Sequence, residues 1–409
     1  MKLKILLAAV ALPVLLTSCD YLKEPGLGGR PRWYIKSPPP VNDIVEVPEG
    51  YNMYVTAFEY PDGYDYIRDT LHGAGASIVL YRDGEKVLSM PADGISPDEC
   101  RVVDGRLYTP VSSGGKTRML CDGEPLFSYE GEEAVGSIVS DGGSVYTLGR
   151  SLTDGGFCCR KDGAVLFSAQ KGTVVGPADG DGALRLDGDD CVFFYSVPMV
   201  SVGGQKSLYY MVRNGEQTQL NVPVEVSGVF DAVRMDGTVY VAASVSLSAG
   251  RAALYCDGSR VVLAQTAVNG KLSGLRLFFL EDQVYVTGFL TSGGKMNRMV
   301  WNASGKVVFR IECYDFHWIY PAPSGYYAVE RKGDEILFSL GTTTLFQTQA
   351  RFWGSRCAEY FGGGFHAALL DPEGKSSTLY RSDGTAAMTV KGLITEVCYS
   401  ALILPGDDP

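Results

Sequence analysis

Short Asp-Gly and Asn-Gly pairs divide this chain of 409 residues into segments of alternating apolar character. Both residues of such a pair tolerate positive φ, which the tight turn of a two-residue β-hairpin requires. We therefore expect a hairpin at each copy. The clearest copies are Asp83-Gly84, Asp122-Gly123, Asp162-Gly163, Asn214-Gly215, Asp257-Gly258 and Asp383-Gly384.

A second recurring element is a turn followed by a strand that carries an aromatic residue near its start. Successive copies lie roughly 40 to 50 residues apart, a spacing typical of repeat architectures. No segment beyond the N-terminal apolar run keeps a helical period over 10–15 residues, so the pattern predicts an all-β protein. The aromatic positions are Tyr54, Tyr108, Tyr146, Phe193, Tyr240, Tyr285 and Tyr327, and His366 occupies the last position.

The two elements alternate and together supply about four strands per unit. Four strands repeated at this period are typical of the blades of a β-propeller, in which stacking around a ring buries faces that one blade cannot bury alone. We predict eight blades. Seven is the alternative, because the unit near Leu340 is degenerate.

The two ends of the repeat region predict how the ring closes. The last unit stops one strand short, and residues 50–57 form an additional copy of a strand at the start. Pairing of these N-terminal residues with the C-terminal strand through Val397–Leu402 would close the ring and remove a free edge. The repeats lack the Gly-His and Trp-Asp pairs of WD40 proteins and the Asp box of sialidases, so they indicate no particular propeller family.

The N-terminus has the pattern of a secretory signal. Lys2 and Lys4 precede the uncharged run Ile5 to Leu16, which is too short to span a bilayer. The run ends in Leu16-Thr17-Ser18-Cys19, which resembles the lipobox of bacterial lipoproteins. This resemblance implies cleavage before Cys19 and lipid on its thiol and new amino group. An uncleaved signal peptide that serves as the anchor is the alternative.

This organisation predicts three segments: a signal peptide at 1–18, a flexible tether at 19–45 and a propeller domain at 46–409. The tether is rich in glycine and includes the triplet Pro38-Pro39-Pro40. The resemblance places the protein in the bacterial cell envelope, lipid-anchored outside the cytoplasm, at the outer membrane or cell surface. Asp20 follows the cysteine at a position used for sorting, and the choice of membrane and leaflet stays open.

Charge and cysteines narrow the possible partners. With 47 acidic and 36 basic residues the net charge is −11, which disfavours nucleic acid as a partner. Nine cysteines remain besides Cys19, so they cannot all pair internally, and none forms a C-x-x-C or a zinc spacing. We interpret them as apolar core residues. A disulfide between the adjacent Cys158 and Cys159 is the alternative.

The sequence contains no HExxH, Gly-x-Ser-x-Gly, P-loop or dinucleotide fingerprint, so it predicts no catalytic residue and no cofactor. Asp179, Asp181 and Asp187 lie in a Gly-rich stretch that resembles a partial calcium loop. Ala183 stands where a third oxygen ligand is needed, so a solvated acidic loop is the preferred interpretation and calcium a weak alternative.

Four residues are candidate ligand contacts: His317, Trp318, Trp353 and His366. Their rings could form a platform for a sugar or peptide, although half-buried strand positions explain them equally simply. Two functions follow. The first is a membrane-tethered module that binds an envelope protein or glycan, or acts as a scaffold, without catalysis. The alternative is an extracytoplasmic glycan hydrolase or lyase at the propeller funnel, which would need two carboxylates at a fixed separation.

Overall fold

A computed structural model of the protein describes residues 50–61, 75–92, 95, 99–176, 183–201, 204–223, 226–245, 251–264, 270–280, 283–313, 316–323, 325–352, 354–361 and 364–401. These residues form 33 β-strands and a single 3-10 turn at Ser355–Cys357. No helix in these ranges is long and apolar enough to cross a membrane. The all-β prediction is confirmed.

The first four blades contain β1 to β16 and the last strand of the chain. Their strands are Tyr51–Glu59 (β1), Ser77–Arg82 (β2), Glu85–Pro91 (β3) and Gly392–Ala401 (β33) in blade 1; Arg101–Val103 (β4), Arg106–Ser113 (β5), Lys116–Cys121 (β6) and Glu124–Glu130 (β7) in blade 2; Glu133–Ser140 (β8), Val145–Ser151 (β9), Phe157–Lys161 (β10) and Ala164–Ala169 (β11) in blade 3; and Thr173–Val175 (β12), Arg185–Asp187 (β13), Asp190–Ser201 (β14), Gly204–Arg213 (β15) and Glu216–Gln219 (β16) in blade 4.

The other four blades follow in chain order. Their strands are Val226–Met235 (β17), Thr238–Val245 (β18), Arg251–Cys256 (β19) and Ser259–Val262 (β20) in blade 5; Lys271–Leu280 (β21), Gln283–Ser292 (β22), Lys295–Asn302 (β23) and Val307–Cys313 (β24) in blade 6; Phe316–Ala322 (β25), Gly325–Lys332 (β26), Glu335–Leu340 (β27) and Thr343–Gln349 (β28) in blade 7; and Ala358–Phe361 (β29), Gly364–Leu370 (β30), Ser377–Arg381 (β31) and Ala386–Val390 (β32) in blade 8.

The eight sheets form a closed ring, as predicted. β1 pairs antiparallel with β33 from Tyr51 opposite Ala401 to Glu59 opposite Gly392, so the two ends of the chain share blade 1. β33 contacts β4, β4 contacts β8, and β17 contacts β21. The strand nearest the axis is therefore β33 in blade 1 and the first strand in chain order in the other blades. The eight-bladed prediction and the predicted closure are confirmed, and the seven-bladed alternative is wrong.

The turn aspartates do more than adopt positive φ. Asp122 has a φ of 53°. Its N–H donates to the Leu107 carbonyl, and the Leu107 N–H donates to Asp122 Oδ1, both at 2.8 Å. Each turn thereby ties the two outer strands of a blade to the second strand. The same pair of bonds joins Asp83 to Met53, Asp162 to Val145, Asn214 to Cys191 and Asp257 to Val239.

Polar side chains of the innermost strands accept hydrogen bonds from unpaired backbone N–H groups at the inner edge of the next blade. Each of them follows a shift in register against the second strand of its own blade, where a bulge re-aims the side chain. The bonds are Leu277 N–H to Asp231 Oδ2 at 2.8 Å, Val102 N–H to Glu396 Oε2 at 2.8 Å and Leu184 N–H to Ser137 Oγ at 3.3 Å.

The cysteines are apolar core residues, as interpreted from the sequence. The nine thiols of the described residues are free, and seven of them are buried. Cys158 and Cys159 form no disulfide. Burial raises the pKa of Cys158 to about 11, so its thiol stays protonated and unreactive at neutral pH.

Replacing one turn aspartate tests the role of its side-chain oxygen. Asp122→Ala removes the acceptor of the Leu107 N–H and places Ala in the left-handed region, so we expect a loss of about 2–3 kcal/mol of unfolding free energy. Asp122→Asn keeps the oxygen, as Asn214 does naturally, and we expect a loss under about 1 kcal/mol. Urea denaturation measures both. Equal losses for the two variants would contradict the assignment.

Candidate functional site: a cavity between the third and fourth blades

A cavity of about 390 Å³ lies between blades 3 and 4. This volume is within the range of small-molecule sites, about 300–1,000 Å³. Its walls come from the two inner strands and from the end of β9. The lining residues are Ala134, Gly136, Ser137, Leu148, Gly149, Arg150, Phe157, Thr173, Val174, Gly176 and Ala183.

The inner strand of blade 4 is interrupted beside the cavity. β12 and β13 both pair with β14, but β12 ends at Val175 and β13 begins at Arg185. Gly176, with a φ of 154°, ends the first piece, and Pro177 follows it. Proline and glycine interrupt strands because they remove a ladder donor and a packing side chain. Gly176 and Ala183 flank the interruption and lie close together, since a Cβ on Gly176 would stand 3.2 Å from that of Ala183, and both line the cavity.

The polar groups of the lining differ in the hydrogen bonds that they already form within the protein. Ser137 Oγ accepts the Leu184 N–H at 3.3 Å, within the buried wall. Arg150 is exposed, and its Nη1 donates to the Gly155 carbonyl at 2.6 Å. This bond orients the guanidinium and leaves its other N–H groups for a ligand. Arg150 is the group of this lining best suited to bind a carboxylate.

The apolar wall is rigid on its blade 4 side. Phe157 is buried and packs edge-to-face against Tyr195, with ring centroids 5.1 Å apart. The centroid of the Phe193 ring lies 6.0 Å from that of the Phe157 ring, also edge-to-face. Such pairs fix aromatic rings in place. The cavity thus offers a pre-formed apolar surface beside a polar opening, which is the usual composition of a ligand site.

A buried ion pair supports the cavity from behind Gly149. Arg160 Nη2 lies 2.7 Å from Glu133 Oε1, and its guanidinium carbon lies 3.8 Å from the Tyr129 ring centroid. Burial alone would lower the pKa of Arg160, but the hydrogen bond and charge of Glu133 raise it overall. A Cβ on Gly149 would stand 2.7 Å from Glu133 Oε2, so only glycine fits between the carboxylate and the cavity.

The composition of the lining defines what the cavity can do. Of the described residues that line it, Arg150 carries the only charge, and none is Asp, Glu, His or Cys. Acid–base or nucleophilic chemistry needs such groups within reach of the reacting atoms. The described wall is therefore equipped for binding. Sequence reasoning missed this site, although Gly176-Pro177 inside a strand region was a usable signal.

His366 is buried on β30. It pairs with Arg381, the residue just before the outer turn, which confirms its place at the last repeat position. Its Nδ1 lies 2.6 Å from the Tyr399 hydroxyl, and 3% of its surface is exposed. Burial, aided by the charge of Arg381, lowers the pKa of His366 to about 4, so the ring is neutral at pH 7. It is not brought to the cavity.

The other three predicted ligand contacts also lie elsewhere or outside the described residues. Trp318 is half-buried on β25, opposite Val329, and the Arg276 guanidinium carbon lies 6.0 Å from its ring centroid. His317 lies on the same strand opposite Glu330, and its side chain lies outside the described part. Trp353 lies outside the described residues.

Asp187, from the acidic stretch, forms an ion pair with Arg234. Arg234 Nη1 lies 2.5 Å from Asp187 Oδ2 and 3.0 Å from Asp190 Oδ2, which joins β13 to the inner strand of blade 5. Asp179 and Asp181 lie outside the described residues, as does Cys19. Within the ranges that the structure covers, no group of three or more His, Cys, Asp or Glu residues could hold a metal ion.

Comparison with known proteins gives distant structural similarity only. No protein-family model and no curated protein sequence matches the chain. Among solved structures, it is similar to the dihydro-heme d1 dehydrogenase NirN at 13% identity and a TM-score of 0.49, over 91% of this chain and 79% of that one.

Two further structures have comparable similarity. Saccharomyces cerevisiae Sqt1 matches at 11% identity and a TM-score of 0.44, over 70% of this chain and 82% of that one. Pyrococcus horikoshii acylaminoacyl peptidase matches at 14% identity and a TM-score of 0.43, over 85% and 57%. Similarity at this level carries no functional argument, and the fold assignment rests on the strand pairing.

The support behind the cavity is testable. Glu133→Gln preserves shape but leaves the Arg160 charge buried without its partner, so we expect a loss of about 3–5 kcal/mol of unfolding free energy. The double variant Glu133→Gln/Arg160→Met removes the orphaned charge and should recover at least half of that loss. Urea denaturation of both variants measures this. A single-variant loss below about 1 kcal/mol, typical of an exposed pair, would contradict the assignment.

Proposed function

We propose that this protein is a ligand-binding module of the bacterial cell envelope, anchored by lipid on Cys19, and that it binds its ligand between blades 3 and 4. The cavity of about 390 Å³ carries this proposal, because it combines a rigid apolar wall with the guanidinium of Arg150. The ligand that fits is a small acidic molecule or the end of a chain, with an apolar body against Phe157 and a carboxylate on Arg150.

The residues that support the cavity are different from the residue that would bind the ligand. Glu133 and Arg160 satisfy each other behind the wall, whereas Arg150 is exposed at the lining with one bond to a backbone carbonyl. A buried ion pair whose hydrogen bonds are made keeps the surrounding strands in place. An exposed guanidinium that is already oriented remains available to the carboxylate of a ligand. A scaffold role on the outer surface of the ring is compatible with the same fold.

The glycan hydrolase or lyase predicted as the alternative requires two free carboxylates. Among the described residues, the carboxylates of the inner strands of blades 5 and 1, Asp231 and Glu396, each accept a backbone N–H of the following blade. Burial raises the pKa of Asp231, although the charge of Arg185 opposes it. One oxygen of each group serves the ring, and the cavity lining contains no carboxylate, so the observations favour binding.

Two variants test the cavity as a binding site. The probes are acidic disaccharides and acetylated dipeptides with a free carboxylate, so that the two sets distinguish a glycan ligand from a protein one. We expect Arg150→Ala to weaken binding at least tenfold, because it removes a charge-assisted hydrogen bond of about 1.5–3 kcal/mol. Ala134→Phe should abolish binding by filling the cavity. Ligand-observed NMR and calorimetry measure both.

The matched control is Arg118→Ala. Arg118 is exposed on β6 of blade 2, away from the cavity, and its replacement should leave the affinity unchanged. A probe that binds wild type and Ala134→Phe equally would place binding elsewhere. If neither set of probes binds, the assignment of an acidic ligand is wrong.

The anchor is tested separately from the cavity. Lipid on both the thiol and the amino group of Cys19 would supply the two chains that stable membrane attachment needs. We expect Cys19→Ser to abolish palmitate labelling and to shift the protein from the membrane to the soluble fraction in a bacterial host. Cys398→Ser is the control, because that thiol lies within the fold. Continued labelling of Cys19→Ser would contradict lipidation.

A further inference from the structure

Arg298 on β23 is a buried cation without a counter-ion in the described structure. It is 5% exposed, and its Nε donates to Thr287 Oγ1 at 2.9 Å. The Thr287 hydroxyl in turn donates to the Met299 carbonyl at 3.1 Å. The guanidinium carbon lies 4.4 Å from the ring centroid of Phe289. No described carboxylate forms an ion pair with this guanidinium.

The terminal nitrogens of Arg298 are the unexplained part. Within the described ranges, neither Nη1 nor Nη2 donates a hydrogen bond, and neither is sealed from solvent. Arginine rarely remains buried unless its charge is paired, because removal of a charge from water costs several kcal/mol. These two nitrogens present a planar fork of donors, the geometry that binds an oxyanion in a bidentate manner.

Arg160 of blade 3 is also a buried arginine on the third strand of its blade, and its guanidinium is fully paired. Arg160 stacks on Tyr129 much as Arg298 stacks on Phe289, but it also binds Glu133 and the Gly163 carbonyl. The pKa of Arg160 is raised by Glu133 against burial. The pKa of Arg298 is lowered by burial to about 10. Arg298 thus lacks both the carboxylate and the backbone carbonyl that bind the terminal nitrogens of Arg160.

The surroundings of Arg298 contain charges of both signs. Val300, two residues further along the strand, packs with Tyr326 of blade 7, so this face of β23 is turned toward that blade. Arg276 of the inner strand lies close enough for its charge to oppose the ionised form of Arg298. Glu330 of β26 is also buried, and its charge and that of Arg298 both act on Cys313, but its oxygens form no hydrogen bond with the Arg298 guanidinium.

We propose that Arg298 is the binding residue of an anion site between blades 6 and 7, and that it takes an oxyanion: a carboxylate or a phosphate of a small ligand. The oxyanion binds Nη1 and Nη2 and stands where Glu133 stands for Arg160. Phe289 and Thr287 hold the guanidinium from behind. This site is separate from the cavity of blades 3 and 4 and does not depend on the function proposed for it.

Oxyanion-dependent stability tests the site. Wild type is unfolded thermally and in urea with sodium phosphate or sodium acetate, each compared with sodium chloride at equal ionic strength and pH. We expect one of the two oxyanions to stabilise the fold, with the unfolding equilibrium constant lowered about 100-fold at one hundred times its Kd. Calorimetry should give one bound ion per chain. The oxyanion that acts identifies phosphate or carboxylate as the ligand group.

Three variants make the result specific. Arg298→Met should lose the oxyanion response while keeping its stability in chloride, because an apolar side chain replaces an uncompensated charge. Arg298→Lys keeps the charge but not the fork and should bind at least tenfold more weakly. Arg118→Met, an exposed arginine on a third strand, should respond like wild type.

Two results would overturn the proposal. The first is a wild-type protein that neither oxyanion stabilises beyond chloride. The second is an Arg298→Met or Arg298→Lys variant with an undiminished response. If Arg298→Met does not fold, Arg298→Lys alone decides between these outcomes.

Discussion

The pairing of β1 with β33 is the contact on which the rest of the structure depends. A four-stranded blade has two apolar faces and can bury them only between two neighbours. An open array of eight blades would therefore expose one face at each end. The antiparallel pairing of Tyr51–Glu59 with Gly392–Ala401 puts both chain ends into blade 1 and removes these exposed faces. Gly392 enables the close approach, since a Cβ there would collide with the Phe58 carbonyl.

Closure leaves a second problem at the axis, where each inner strand has an unpaired edge. Water in the channel can satisfy such groups, but three of the blades use side chains placed after a bulge. One carboxylate oxygen of Asp231 and one of Glu396 therefore accept a backbone N–H of the next blade. The other oxygen of Asp231 is buried without a hydrogen bond among the described residues, so the architecture accounts for only part of this carboxylate.

The fold was predictable from sequence because its repeats encode local geometry. Asp-Gly at hairpin tips and an aromatic at the start of each second strand recur at a nearly constant period, and the register confirms His366 at the last position. In blade 4 the equivalent position is held by Val192 rather than Phe193, because Val192 is the residue that pairs with Arg213 beside the turn. The one-residue difference is invisible to spacing, since neighbouring repeats already vary by several residues.

The candidate sites were not predictable because they depend on which side chains have no partner of opposite charge in the folded protein. The aromatic and histidine candidates drew attention by residue type, yet His366 is buried against Tyr399. Arg150, Arg160 and Arg298 are indistinguishable in the sequence, and only the three-dimensional neighbours separate them. Arg160 has Glu133, which is 27 residues away; Arg150 has a backbone carbonyl and solvent; Arg298 has a hydroxyl and a ring. Arg150 and Arg298, which lack acidic partners among the described residues, are therefore the candidates for an anionic ligand, and only the fold separates them from Arg160.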